Sequence, residues 1–475
     1  MKKWIILIIA GSFLYLILGA LVPFMFQPKV SQEYKDGFSV KNFYNEDGYS
    51  VDRADVVETS ADALDVRLQM FEEARERIVL STFDIRTGGS CTDIFSSLIA
   101  AADRGVKVQV FVDGMYGALH MKKEPLFYAA GMNPNIEIRF YNEPNLLMPW
   151  TANGRMHDKY ILIDDKLLLL GGRNTFDYFL GEYTDKNLSY DREVLIYNTA
   201  YGTEDSKKSV IDQVYDYFDG IWNSQYSRTV YNKKSFGKDK ITKAELELNA
   251  HYQQMKTDRH EIFDNADELT GRTVPVNKVT FIHNPVHIYA KEPYVWYQMT
   301  ELMKAARERV YLQTPYVAFS RDMYRDFKEV GKKDITFEMQ INSVAVGDNF
   351  MASSDYIFNK DKILDTGVTV YEFQGEHSSH GKSALFDGDL SLIGSYNLDM
   401  RSTYVDTETV LVIHGEEFNH LLEGYIMDMH DQSLMVRKDG TYEAKDGAAA
   451  KELKGTKKVL YPITSVLFQL FRYLI

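Results

Sequence analysis

Cysteine is nearly absent. Cys91 is the single one among 475 residues, so no disulfide can close within the chain and no cysteine-type zinc site can form. His-Glu-x-x-His and Walker-type loops are missing too, and nothing in the sequence calls for a metal or another cofactor. Positive charge is in deficit, with a formal net charge of −14. Such a surface repels polyphosphate, so nucleic acid is not an expected partner and only a local basic cleft is left open. Near the start, Trp4 to Phe26 gives twenty-three residues without a charge, enough to span a bilayer core as a helix. A cleavable signal is the competing reading, but the small-x-small pattern is poor. Lys2 and Lys3 favour a cytoplasmic start and an extracytoplasmic body, an asymmetry that Lys29 and Lys35 dilute.

What the chain does contain is a long-range repeat. His157-Asp158-Lys159, with Asp164 after it, recurs 223 residues later as His380-Gly381-Lys382, with Asp387 after it. Each copy continues into a turn, Gly171-Gly172 and Gly394-Ser395, and then an Asn seventeen residues past the His, Asn174 and Asn397. The similarity extends outward: residues 74–82 match residues 306–314, 232 positions later, and the run Ile136–Tyr141 matches Val368–Phe373. A period this long excludes a solenoid and indicates a duplicated domain.

Strand and helix patterns alternate in the first copy. Ile78–Phe83 reads as a buried strand, Thr92–Arg104 as a helix stopped by Gly105, and Val106–Val112 as a strand. The motif segments read as hairpins turning at Asp165-Lys166 and Asp387-Gly388-Asp389. This order predicts an α/β layer architecture. The expected organisation is a transmembrane anchor and flank over 1–30, a first domain over 31–230, a linker over 231–275, a second domain over 276–435 and a tail over 436–475. Residues 27–55 read as a polar tether. The tail is locally basic and ends in a large-apolar run from Val459 to Ile475, which fits either a helix docked on the core or a segment seated at a lipid surface.

Residues two apart on a strand share a face, so His157 and Lys159 can address one site together, as can His380 and Lys382. The spacing of Asp164 and Asp387 from their lysines would aim them at the opposite face. The two motif aspartates therefore complete the candidate set but read as structural. Asn174 and Asn397 are either turn caps or further site residues.

The paired motif resembles the signature of the phospholipase D superfamily. Within it, the stretches from Gly154 to His157 and from Gly394 to Ser402, together with Thr314-Pro315-Tyr316 and Asn342-Ser343, look like bacterial cardiolipin synthases. The resemblance covers about residues 60–430 and implies duplicated α/β/α sandwich domains about a pseudo-twofold axis, which would follow the membrane helix read from the uncharged run. It implies a phospholipid substrate, phosphatidylglycerol above all, a membrane as partner and no metal. By analogy His157 is the nucleophile that forms a phosphohistidine and His380 the general acid and base. Lys159, Lys382, Asn174 and Asn397 would hold the phosphate oxygens. Asp191, 34 residues after His157, and Glu408, 28 after His380, fit the family spacing for groups that orient the imidazoles, with Glu193 and Asp406 as near alternatives. The implied activity is phosphatidyl transfer. Hydrolysis of phospholipids is the alternative; a nuclease is disfavoured by the acidity and the anchor, and a non-catalytic scaffold by the intact motifs.

Overall fold

The computed structural model describes residues 2–184, 188–231, 237–264, 268–445 and 447–475. In the first half the strands are β1 (Asp52–Val57), β2 (Arg77–Thr82), β3 (Lys107–Asp113), β4 (Ile136–Tyr141), β5 (Tyr160–Ile163), β6 (Leu167–Gly171), β7 (Ser189–Tyr190), β8 (Glu193–Asn198), β9 (Ser227–Val230) and β10 (Val274–Pro275). The second half has β11 (Lys278–His283), β12 (Arg309–Gln313), β13 (Val317–Ala318), β14 (Thr336–Asn342), β15 (Thr369–Phe373), β16 (Ser378–Ser379), β17 (Ser383–Phe386), β18 (Leu390–Gly394), β19 (Leu398–Asp399), β20 (Thr409–His414) and β21 (Ser433–Met435).

The two large sheets are copies of one another. The first runs β10-β1-β8-β6-β5-β2-β3-β4-β9 and the second β11-β20-β18-β17-β12-β14-β15-β21. Apart from β10 at the edge, each strand has a counterpart at the same place in the order. Even the register repeats: Ile78 faces Ile163 in the first sheet and Val310 faces Phe386 in the second.

Period-two alternation explains the layers. Ile161 and Ile163 point into the first core with Leu167 and Leu169, while Tyr160, Leu162, Leu168 and Leu170 point into a central core shared by both halves. Helices Ser60–Glu73 and Gly89–Asp103 cover the outer face of the first sheet, and Tyr294–Ala305 and Phe350–Leu364 cover that of the second. Between the sheets lie Val210–Trp222 and Glu416–His430, which bury Phe218, Ile221, Phe418 and Leu422 in the shared core. Two α/β/α domains thus face each other across a shared core.

Two connecting segments are more integrated than their polar composition indicates. Residues 27–55 are not a loose tether. Phe43 is buried in the core of the second half, Phe38 packs against it, and Tyr34 stacks on Tyr294 with ring centroids 3.9 Å apart. A few aromatic residues suffice, because each fully buried ring is worth about 1.5–3 kcal/mol. The connector carries the helix Lys238–Asp258, whose Ile241, Leu248 and Tyr252 enter the core of the first half. Residues 232–236 and 265–267 of the expected linker lie outside the described residues.

At the start of the chain, Lys2–Phe24 is the one candidate membrane span among the described residues, by length and composition. None of its helical residues from Lys2 to Leu21 is buried. In the tail, the helix Thr456–Leu467 docks on Phe350–Leu364: Tyr461 stacks on Phe350 at 4.8 Å, and Arg472 pairs with Asp355 at 2.9 Å.

Candidate active site

Both motif histidines leave their strands at the same place, just before β5 and just before β17. Each is tied to the opposite half through its backbone. Met156, ahead of His157, bridges to Thr407 in parallel fashion, and Ser379, ahead of His380, pairs with Tyr190. The residues that follow those partners are Glu408 and Asp191. Each histidine therefore meets a carboxylate from the other half: His157 Nδ1 lies 2.9 Å from Glu408 Oε1, and His380 Nδ1 lies 2.6 Å from Asp191 Oδ2. The near alternatives are engaged elsewhere. Glu193 takes the guanidinium of Arg67 at 2.6 Å, and Asp406 takes Arg401 at 2.8 Å.

Small residues in the turns make room for these carboxylates. A Cβ on Gly172 would sit 2.2 Å from Asp191 Oδ1. In the second copy the equivalent position is Ser395, whose hydroxyl donates to Glu408. Asn342 holds Ser379 by both backbone groups, accepting from its N–H at 2.8 Å and donating to its carbonyl at 2.7 Å. That fixes the strand from which His380 projects.

The lysines are buried beside their histidines. Lys159 Nζ donates to the His157 carbonyl at 2.5 Å and lies 5.0 Å from the centre of the Phe83 ring. Lys382 Nζ lies 3.0 Å from His380 Nε2. Asn174 and Asn397 are buried, and the side-chain oxygen of each lacks a hydrogen-bond partner. Two orphaned acceptors at matching positions are unusual in a folded interior, where buried polar atoms are nearly all paired. Phe83 packs edge-on to His157 at 4.9 Å, and Phe179 lies 5.1 Å from His380.

A cavity of about 380 Å³ opens onto His157 and Asn397, lined further by Tyr316, Arg401, Met351 and Ile475. Larger hollows exist elsewhere on the molecule, but none of them contains a histidine of the repeat.

The electrostatics of the two sides differ. Burial, with Lys159, Lys382 and His380 next, pushes the His157 pKa well below that of a free imidazole. Burial raises Glu408 well above the usual carboxylate range, with Lys159 and Ser395 opposing. Asp191 is buried as well, but the charges of His380 and Lys382 outweigh that cost and hold it well below the ordinary range. His380 is lowered by burial and by Lys382, against the pull of Asp191. Burial also brings Lys159 down to about 7 and Lys382 to about 8. One imidazole is thus held neutral, while the other, also lowered overall, has an ionised carboxylate beside it that opposes the shift.

Asp164 and Asp387 lie at the far ends of β5 and β17, away from the histidines. Both have left-handed backbone, φ 48° and 52°, so the turn rather than strand parity sets their direction. Asp164 accepts from the N–H groups of Arg75, Glu76 and Arg77 at 2.7–3.0 Å, and Asp387 from those of Arg307, Glu308 and Arg309 at 2.8–3.0 Å. They hold the loops that enter β2 and β12. Asp158, between the motif His and Lys, had carried no expectation; it accepts from Tyr217 at 2.6 Å and from Thr407 at 2.8 Å, tying the halves together. Arg401 was visible only as part of a matching stretch, with no separate signal for its place in the cavity wall.

Comparison with known proteins fits this geometry. A family model described as cardiolipin synthase, phospholipase D-like domain, matches residues 68–222 and 299–429. Cardiolipin synthase C of Escherichia coli strain K12 is 25% identical over 447 residues, covering 84% of this chain and 89% of that protein. Cardiolipin synthase 1 of Staphylococcus epidermidis is 23% identical over 399 residues, covering 83% and 71%. Among solved structures, phosphatidylserine synthase of Haemophilus influenzae Rd KW20 superposes with a TM-score of 0.64 at 14% identity, covering 89% of this chain and 95% of that one. The last likeness concerns the fold alone.

Proposed function

Because the chain belongs to the cardiolipin synthase, phospholipase D-like family, we propose that it is a membrane-bound phosphatidyltransferase that makes cardiolipin from two molecules of phosphatidylglycerol through a phosphohistidine. The observation that carries this reading is the reciprocal clamp, in which Glu408 holds His157 and Asp191 holds His380. It arms one nucleophile and one proton carrier from opposite halves.

In the first step Nε2 of His157 attacks the phosphorus and the bond to the glycerol oxygen breaks. His380 delivers its proton to that oxygen, and glycerol leaves. In the second step His380 removes a proton from the free hydroxyl of another phosphatidylglycerol, whose oxygen attacks the phosphorus and breaks the P–N bond. A neutral imidazole is the competent nucleophile and a charged one the competent acid. The low pKa of His157 and the ionised Asp191 beside His380 support that division.

Lys159 and Lys382 would neutralise the non-bridging oxygens as charge shifts in the transition state. Preorganised cations in a buried site act far more strongly than in water. Asn174 and Asn397 would add hydrogen bonds. This assigns charge stabilisation to side chains and requires no metal.

The N-terminal helix would anchor the enzyme, and Lys2 and Lys3 ahead of it favour a catalytic body outside the cytoplasm. Full-length protein in mixed micelles with labelled phosphatidylglycerol tests the activity. Cardiolipin and glycerol are the expected products. Phosphatidic acid as the main product would make the protein a hydrolase, with water in place of the second lipid.

A further inference from the structure

Exposed apolar side chains gather where the reaction cavity approaches the N-terminal helix. Leu146 and Leu147 are 78% and 80% exposed, and the 3-10 turn Pro149–Ala152 that follows them ends at Ala152 in the cavity wall. This loop lies alongside the helix rather than beyond its end. Tyr15 OH donates to the Leu147 carbonyl at 2.9 Å, Asn153 Nδ2 donates to the Ala20 carbonyl at 2.8 Å, and Pro149 packs on Gly19 so closely that a Cβ there would meet it at 2.3 Å. Tyr15 precedes Phe24 by nine residues, or about 13 Å of helix. Atoms packed beside that stretch share its depth.

The tail converges on the same place. Phe24, at the end of the helix, is buried with Met400, Tyr404 and Val405, and Tyr473 and Leu474 pack against that cluster. Arg401 donates its backbone N–H to the Ile475 carbonyl at 2.9 Å, so the tail lines the cavity. From there the helix Thr456–Leu467 runs back over the second half. It buries Tyr461 and Ser465 and leaves Val459, Ile463 and Val466 each more than 60% exposed. Lys454 and Lys458 are exposed at the start of this helix.

From these contacts we infer that the Leu146–Leu147 loop and the outer face of Thr456–Leu467 form a lipid-inserted rim around the cavity mouth, seated in the same bilayer that the N-terminal helix enters. The occupant is a lipid surface rather than a protein. A spanning helix fixes the depth of everything packed against it, and an apolar helical face with lysines at its start suits an anionic interface. The rim would let a phospholipid pass from the bilayer past Ala152 and Ile475 toward His157 without crossing water. This rests on the reading of Lys2–Phe24 as a span and of the cavity as a phospholipid site.

The test uses the full chain in vesicles of phosphatidylglycerol and phosphatidylcholine, with single L147C, I463C and L246C substitutions carrying a polarity-sensitive fluorophore. Buried Cys91 stays unlabelled. Leu246 is an exposed residue on Lys238–Asp258, away from the proposed rim. Lipids spin-labelled on the acyl chain should quench the probe at 147 and at 463 and leave that at 246 bright. Probes at 147 and 463 as unquenched as that at 246, or all three quenched alike, would overturn the inference. Quenching needs no turnover, so its outcome is independent of whether the enzyme makes cardiolipin. As a second readout, the double variant I463D/V466D should lose at least about tenfold in kcat/KM on vesicles and keep its rate on a short-chain monomeric phosphatidylglycerol; equal rates on vesicles would count against the rim.

Discussion

Glu408 reaches from the second half to hold His157 Nδ1 at 2.9 Å. The same relation in mirror image joins Asp191 to His380 at 2.6 Å. Neither motif histidine meets its carboxylate within its own half, so each pair is completed only by the two halves together.

The pairing makes Asp191→Asn a specific test. An amide in place of the carboxylate no longer stabilises an imidazolium and can favour the wrong tautomer. Turnover should fall by about 10²- to 10⁴-fold, while the melting temperature changes little. Activity close to wild type would mean that Asp191 serves packing rather than His380.

Gly172 offers a second test of the same pair. In Gly172→Ala the new Cβ would meet Asp191 Oδ1 at 2.2 Å and push the carboxylate off His380. Displacement on the scale of 1 Å costs roughly 10²-fold in rate. The expected variant is folded, with kcat depressed and KM little altered in steady-state assays.

The motif aspartates behave differently. Asp164 satisfies three backbone N–H groups at 2.7–3.0 Å and sits at φ 48°, a conformation that Asn also tolerates. Asp164→Asn should therefore cost about 1–3 kcal/mol of stability through weakened charged hydrogen bonds, read by denaturant titration, and leave the turnover of folded enzyme near normal. An intact stability with lost activity would contradict the structural role.

The lysines contribute to the alkaline side of the pH profile, together with loss of the His380 proton. Burial brings Lys159 to about 7 and Lys382 to about 8. A lysine is charged below its pKa, so both cations are in place in mildly acid solution and are lost as pH rises through those values. Because kcat/KM reports the free enzyme, it should decline across that interval. Lys382→Arg stays charged, and its residual activity should lose the part of the decline due to Lys382. A Lys382→Arg profile that declines just as the wild type does would mean that Lys382 does not titrate in this interval.

Much of this was legible in the sequence because the duplication compares the chain with itself. His157 and His380, with their lysines and asparagines, stand at equal offsets, and the hairpins of β5–β6 and β17–β18 follow from alternation and turn residues. The crossing of the carboxylates was not legible. Asp191 and Glu408 were marked only by the family's spacing, but which histidine each serves depends on how Met156 meets Thr407 and Ser379 meets Tyr190, a relation between distant segments. Strand parity pointed to a structural role for Asp164 and Asp387 by an argument that misses the left-handed turn. The segment 27–55 read as polar because its few aromatic residues show no periodicity, and only packing reveals that Phe43 is a core residue.

The most direct test of the central claim is to trap the intermediate. Wild-type enzyme is mixed with phosphatidylglycerol radiolabelled in its phosphate, quenched in alkali within the first turnover, digested and analysed by mass spectrometry. The account expects a phosphoryl-linked adduct on the peptide bearing His157 and none in His157→Ala enzyme. A label on His380 in the wild-type enzyme, or sustained turnover by the alanine variant, would contradict it.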